Sequence, residues 1–340
     1  MSTIPRDLKV TVPAAIFPTF NVACAQDRST HRNFLINTWG GLGDQVCAEP
    51  AIRYALRTFD RCEITLLSEQ PELFSHLKFK EVIDNRKKPV VDFEKYLVFH
   101  SITPPNTLLW EFLSHMLCHC VDFPSVCMFR CTLPNADKEI RLPDYELKKE
   151  FYFEAEKTVV IHPGKHWPSK TFPASWWNQV IKEIKRNGQK VAIIGQKGSA
   201  GVENTGYVDV LHDGCRDFRD SLSITDLVAV LKHSKFLLSN DSSPIHIAAA
   251  GDAFIGFVAS CKHPDYITHW RKGQFGWNSK NFGLDGSWNH LDNNPAQSEN
   301  GEEVTVEELP PGLMDKILPQ PFDVADFYKG MMTYGRCYKD

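Results

Sequence analysis

The chain has 340 residues, 42% hydrophobic and 11% aromatic, with 38 basic and 42 acidic side chains for a net charge of −4. These values exclude a fibrous or low-complexity chain and predict two globular domains of about 150 residues each. With no run of eighteen apolar residues, no helical membrane span is expected. The charge is uneven: between Lys280 and Lys316 there are eight acids and no Lys or Arg, so the remainder carries 38 basic against 34 acidic residues, net +4. That leaves room for an electropositive cleft.

Val10 to Ala25 resembles a secretion signal in its small residues, but Pro13, Pro18 and Asn21 interrupt it, and residues 1–32 read as an N-terminal arm. Asn33 to Thr38 reads as a short apolar strand. It runs into the glycine-rich turn Trp39-Gly40-Gly41-Leu42-Gly43-Asp44, and the apolar positions Val46, Ala48, Ile52, Ala55 and Leu56 predict a helix over Gln45 to Thr58. Asp44 then stands at a helix start, where the dipole favours an ionised carboxylate, either as a plain cap or as a reactive base. The turn is a poor dinucleotide fingerprint, because Val46 stands at the third glycine position. Its glycines instead suit close approach of the backbone to a second molecule.

Strand and helix signals then alternate: a strand at Glu63 to Ser68, a helical turn at Pro71 to Leu77, and strands at Glu81 to Asp84 and Tyr96 to His100. A helix is expected over Leu108 to Cys120. This rhythm predicts a mostly parallel sheet covered by helices. Leu133 to Glu156, with Pro134, Pro143 and many charges, has the composition of a linker, and the domain boundary is placed within it, at 150/151.

The second half repeats the pattern. Thr158 to Ile161 is a strand leading into a loop through Pro173 that holds His162, Lys165, His166 and Lys170. A helix over Ser175 to Asn187, a strand at Lys190 to Ile194, and a helix Leu227 to His233 capped around Ser223 follow. The apolar strand Phe236 to Leu238 then turns through Ser239-Asn240-Asp241-Ser242-Ser243, and Pro244 opens a helix of small apolar residues to Ala250. Strand, tight turn and helix N-terminus form a place where amide N–H groups converge on an anion, with the Ser242 and Ser243 hydroxyls as further donors. Asp241 would repel a phosphate, so a hydroxyl-rich group suits it better. An isolated Asp-Ser-Ser-Pro is more often an ordinary helix cap; the lysine loop at the end of the Thr158 to Ile161 strand favours the phosphate reading. A strand at Phe254 to Ala259, the stretch Cys261 to Arg271, then a loop rich in Gly, Asn and Glu to about Glu308, and a terminal helix within residues 319–340 complete the chain.

Ten scattered cysteines suit free thiols in a reducing cytoplasm. Cys118, Cys120, Cys127 and Cys131, with His115 and His119 beside them, form a cluster whose spacing fits no standard zinc finger, so no metal is assigned.

Gly40-Gly41-Leu42-Gly43-Asp44 with Pro50 and Leu56, the Val160 to Pro173 loop and the Ser239 to Gly251 turn together resemble the ADP-heptose:lipopolysaccharide heptosyltransferases, glycosyltransferase family 9, over about residues 33 to 260. The resemblance implies the GT-B fold: two Rossmann-like α/β domains, here 33–150 for the acceptor and 151–318 for the nucleotide sugar, facing a cleft. It implies Asp44 as general base, Lys170 on the donor diphosphate with Lys165 near it, and Ser242 and Ser243 donating backbone N–H groups to the same diphosphate. Asp241 falls at the donor sugar, His246 in the same turn, and Leu222 at the nucleobase pocket. Gly41, Gly43 and Arg271 fall on the acceptor side. No metal cofactor is implied. Ser243 replaces the family's usual glycine, and Cys261 to Asp265 with Arg271 is unlike the lipopolysaccharide enzymes, closer to a branch found in phages and environmental bacteria. The expected reaction is inverting transfer of a sugar to a hydroxyl on a glycan or on a hydroxymethylated pyrimidine in DNA. A non-catalytic nucleotide-sugar-binding protein and a nicotinamide dehydrogenase are the competing readings.

Overall fold

The computed structural model describes residues 33–102, 119–129, 132–165, 170–197, 206–259 and 264–282. The expected N-terminal arm, the terminal helix, the acidic segment and most of the Leu108 to Cys120 helix lie outside them. The described residues form two compact units, one of 33–143 with His269–Phe275, the other of 144–268 with 276–282. The change of unit, between Pro143 and Asp144, falls inside the proline-bearing stretch. The return of His269–Phe275 to the first unit has no signature in composition.

In the first unit, strands β1 (Asn33–Thr38), β2 (Glu63–Ser68), β3 (Glu81–Asp84) and β4 (Leu97–His100) form one parallel sheet in the order β3-β2-β1-β4. Phe34, Leu35 and Ile36 are buried at consecutive positions, as a strand covered on both faces requires. Helix α1 (Leu42–Thr58) begins three residues before the expected start, with Gly41 as its N-cap. It buries Val46, Cys47, Ala48, Ala51, Ile52 and Ala55. A second helix, α2 (Asp122–Phe129), which periodicity did not reveal, adds Phe129 to a cluster with Phe34, Phe59 and Phe99. Burial of such side chains contributes roughly 2 kcal/mol each.

Two buried acids tie this unit together. Glu49, fully buried on α1, accepts from Arg53 Nε at 2.8 Å and from the Arg141 amide at 2.9 Å, while Arg53 Nη2 donates to Glu139 O at 2.6 Å. Asp122 pairs with Lys138 at 2.8 Å and accepts from the Leu133 amide at 3.1 Å. Both networks join a helix to the chain leaving the sheet.

In the second unit, β5 (Thr158–His162), α3 (Ala174–Arg186), β6 (Lys190–Ile193), β7 (Arg216–Asp217), α4 (Ile224–His233), β8 (Phe236–Asn240), α5 (Ser243–Ala248), β9 (Phe254–Val258) and β10 (Ser279–Asn281) follow in order. Their parallel sheet runs β10-β9-β8-β5-β6-β7. Chain direction across the sheet reverses between β5 and β8, the arrangement of a Rossmann domain, and ligands bind where such a reversal opens the sheet edge. The core packs Val159, Ile161, Phe236, Leu238 and Phe254 against Trp177, Val180, Ile181 and Ile184 of α3. Ser223 caps α4 as its sequence predicts, accepting from the Asp226 amide at 3.2 Å. The stretch expected to be loop after Arg271 instead contains Gln274–Phe275, which forms a hairpin with Trp270–Arg271, and β10.

Candidate functional site

The C-terminal ends of β5 and β8 lie side by side, with Ser239 in register with His162. Six polar side chains gather there. His162 Nδ1 lies 3.0 Å from Ser242 Oγ and 3.4 Å from Ser239 Oγ, and the two hydroxyls stand 3.1 Å apart. Asn240 Nδ2 donates to Gly164 O at 3.0 Å and to Lys170 O at 2.6 Å, holding the β5 loop against the β8 turn. Lys170 Nζ lies 2.6 Å from Asp241 Oδ2, and both side chains are largely buried. The lysine loop and the Asp241 turn, about seventy residues apart in sequence, are therefore one cluster.

Burial holds the His162 imidazole down to about 4, opposed by its hydrogen bond to Asn240. At neutral pH it is an uncharged ring that orients the Ser242 hydroxyl, and the cationic group is Lys170. Gly164 is needed for space: a Cβ there would stand 2.6 Å from both Asn240 Oδ1 and His162 Cε1.

Helix α5 has six residues, so its dipole is short; the amides at its start and the Ser242 hydroxyl are the better anion donors. Ser242 is the N-cap in extended conformation, Ser243 the first helical residue, and His246 lies buried within the helix. Leu222, half-buried, immediately precedes the α4 cap. Lys165 pairs in a two-residue ladder with Gly206, and among the described residues no hydrogen bond or ion pair joins it to the cluster.

In the first unit the direction reversal lies between β1 and β4, and the turn after β1 carries Asp44. Asp44 is exposed in the first turn of α1 and accepts from the Gly41 amide at 2.9 Å. Gly40 has φ +99°, and a Cβ there would stand 2.7 Å from Ile102 Cδ1; a Cβ on Gly41 would stand 3.2 Å from the Asp44 carboxylate. Gly43 lies in the same helical turn. Asn37 and His100, at the ends of β1 and β4, face each other at 3.3 Å, and burial lowers the His100 imidazole below its ordinary value. Arg271 is buried in the hairpin that returns to this unit.

Residues 124–255 match the sequence model of glycosyltransferase family 9 (heptosyltransferase). That stretch of the chain is similar to a family-9 glycosyltransferase domain. The fold of the chain is similar to that of TibC, an iron-containing dodecameric heptosyltransferase of enterotoxigenic Escherichia coli solved with ADP-D-beta-D-heptose, with a TM-score of 0.65 at 14% identity over 90% of this chain and 77% of that one. A family-9 glycosyl transferase from Veillonella parvula gives 0.54 at 12% identity over 91% and 99%, and E. coli ADP-heptose lipopolysaccharide heptosyltransferase II gives 0.54 at 13% over 89% and 99%. A comparison with curated proteins found no significant match. The fold is GT-B, and the match over residues 124–255 supports glycosyltransferase activity.

Sequence reasoning singled out Lys170, Asp241 and Ser242 but gave His162, Ser239 and Asn240 no role. The only signal for them was position: each ends, or sits one residue inside, a strand at the sheet's reversal point. Of the cysteine and histidine cluster, His119, Cys120 and Cys127 are among the described residues; Cys127 is buried in α2, while His119 and Cys120 precede it. No helix among the described residues is long and apolar enough to cross a membrane.

Proposed function

We propose that this chain is an inverting glycosyltransferase moving a sugar from a nucleoside diphosphate sugar to an acceptor hydroxyl. The observation carrying this reading is the β5/β8 cluster, where one largely buried lysine, the start of α5 and the oriented Ser242 hydroxyl converge. Lys170 and the amides of Ser242 and Ser243 take the leaving diphosphate, and Asp241, beside the lysine, takes hydroxyls of the donor sugar. Charge developing on the leaving group is then met by fixed donors, so the transfer step needs no metal. Leu222 contributes to the nucleobase site, with Lys165 and His246 at the margin of the donor.

Asp44 is assigned the general base that accepts the proton of the acceptor hydroxyl, with Gly41, Gly43 and Arg271 on the acceptor side. Its place in the first turn of α1, held by the Gly41 amide, keeps the carboxylate in one orientation. The second unit binds donor and the first binds acceptor. The free thiols of Cys47, Cys62, Cys120, Cys127 and Cys215 suit a cytoplasmic enzyme.

The test is transfer or donor hydrolysis with a panel of nucleotide sugars, beginning with ADP-heptose, against glycan and hydroxymethylated-DNA acceptors. Asp44→Asn is expected to lower turnover by about 10²–10⁴-fold while donor affinity by calorimetry stays within a few-fold. Unchanged turnover removes Asp44 from the role. Tight donor binding with no turnover on any acceptor makes the chain a binding protein instead.

A further inference from the structure

A second group of side chains converges in the first unit, apart from the residues assigned to transfer. His119 and Cys120, in the turn before α2, meet His269, at the start of the returning hairpin 150 residues later. One ligand atom from each of the three lies within 4.8 Å of the others. The imidazoles of His119 and His269 stand edge to face with centroids 5.9 Å apart. Around a tetrahedral ion with the usual metal–nitrogen and metal–sulfur lengths, ligand atoms are roughly 3.3–3.8 Å apart and two imidazole centroids roughly 5 Å. Small side-chain rotations therefore bring the three atoms onto one ion.

We propose that His119, Cys120 and His269 form a zinc site that pins the hairpin to the α2 turn. Two imidazoles and a thiolate are borderline-soft donors, which suits zinc over calcium or magnesium, and three protein ligands leave the fourth position for water. Cys47 Sγ, on α1, also lies within 4.8 Å of Cys120 Sγ. His269 is 1% exposed, whereas His119 and Cys120 are half-buried, so an ion has a path in and a rigid ligand to land on. Phe275 packs against His119 at 6.1 Å and against Trp270 at 5.5 Å, giving the site an apolar wall.

Binding has an identifiable cost. His119 Nδ1 now accepts from the Val121 amide at 3.2 Å. Metal on Nδ1 takes that lone pair, and metal on Nε2 requires a proton on Nδ1; either way the Val121 amide loses its acceptor. The Cys120 thiol also gives up its proton to bind, so affinity rises with pH until the thiolate forms fully.

The experiment uses the full chain, stripped with chelator under a non-thiol reductant and titrated with cobalt(II), the spectroscopic stand-in for zinc. One equivalent is expected to give tetrahedral d–d bands and a thiolate-to-cobalt charge-transfer band, displaced by zinc. Zinc is expected to raise the melting temperature in a concentration-dependent way. Cys120→Ser should abolish the charge-transfer band, and His119→Gln should weaken binding at least tenfold; both positions are partly exposed, so both variants should fold, whereas His269 is buried and is left unchanged. Absence of the band in the parent chain, or its persistence in Cys120→Ser, overturns the site. Iron in place of zinc in protein isolated from medium supplied with both metals overturns the choice of ion.

Discussion

Lys170 Nζ and Asp241 Oδ2 stand 2.6 Å apart at the mouth of the β5/β8 reversal, with side-chain exposures of 16% and 5%. Two residues assigned to different parts of the donor therefore hold each other before any donor arrives. The ammonium has a fixed counter-charge and position. On the proposed reading, an incoming diphosphate would compete with that carboxylate for it, and its hydroxyl neighbour would have to satisfy Asp241.

Removing one partner of such a pair leaves the other's buried charge without its counter-ion at 2.6 Å. Lys170→Met is expected to lower stability by about 2–4 kcal/mol and to weaken donor binding by at least tenfold. In Lys170→Met/Asp241→Asn the stability loss should be at least half recovered while donor binding stays weak. Urea unfolding of the four members of the cycle measures this coupling. Strictly additive losses would show that the pair is not coupled.

The neutral, buried His162 makes stability fall in acid. Its folded value is about 4, below the ordinary 6.5 of an unfolded chain. Between these values the unfolded state binds the proton and the folded state does not, so stability is present above pH 6.5 and is lost as pH falls through 4. Between pH 7 and pH 5 this group alone accounts for about 2 kcal/mol. Urea midpoints at the two pH values, compared with those of His162→Gln, read the term directly. An equal pH dependence in the variant would rule it out.

Gly164→Ala tests whether the cluster needs its spacing. The new methyl meets Asn240 Oδ1 and His162 Cε1 at 2.6 Å, so one or both side chains must move. The expected stability loss is about 1–3 kcal/mol, with donor KM raised at least tenfold and far-UV circular dichroism unchanged. Normal donor KM would show that the Asn240 bridge between the two loops is not needed for binding.

Most of the local architecture was legible in the order of residues. Alternating apolar runs and amphipathic stretches, punctuated by Gly, Pro and Ser, placed β1 to β5, α1, α3, α4 and the β8–α5 turn within a few residues, because period and capping are properties of neighbours in sequence. The motifs around Asp44, Lys170 and Asp241 to Ser243 were visible for the same reason. Helix α2 was missed because its run of eight residues, DFPSVCMF, is apolar on nearly every side and carries a proline. What required the folded chain was every relationship between distant segments. Strand order set β5 beside β8 and so joined His162, Asn240, Lys170 and Asp241. It also returned Arg271 and His269 to the first unit, where His269 meets Cys120 across 149 positions. Such pairings are settled by which apolar faces bury against each other, and that free energy is summed over the whole core and written in no single stretch of sequence.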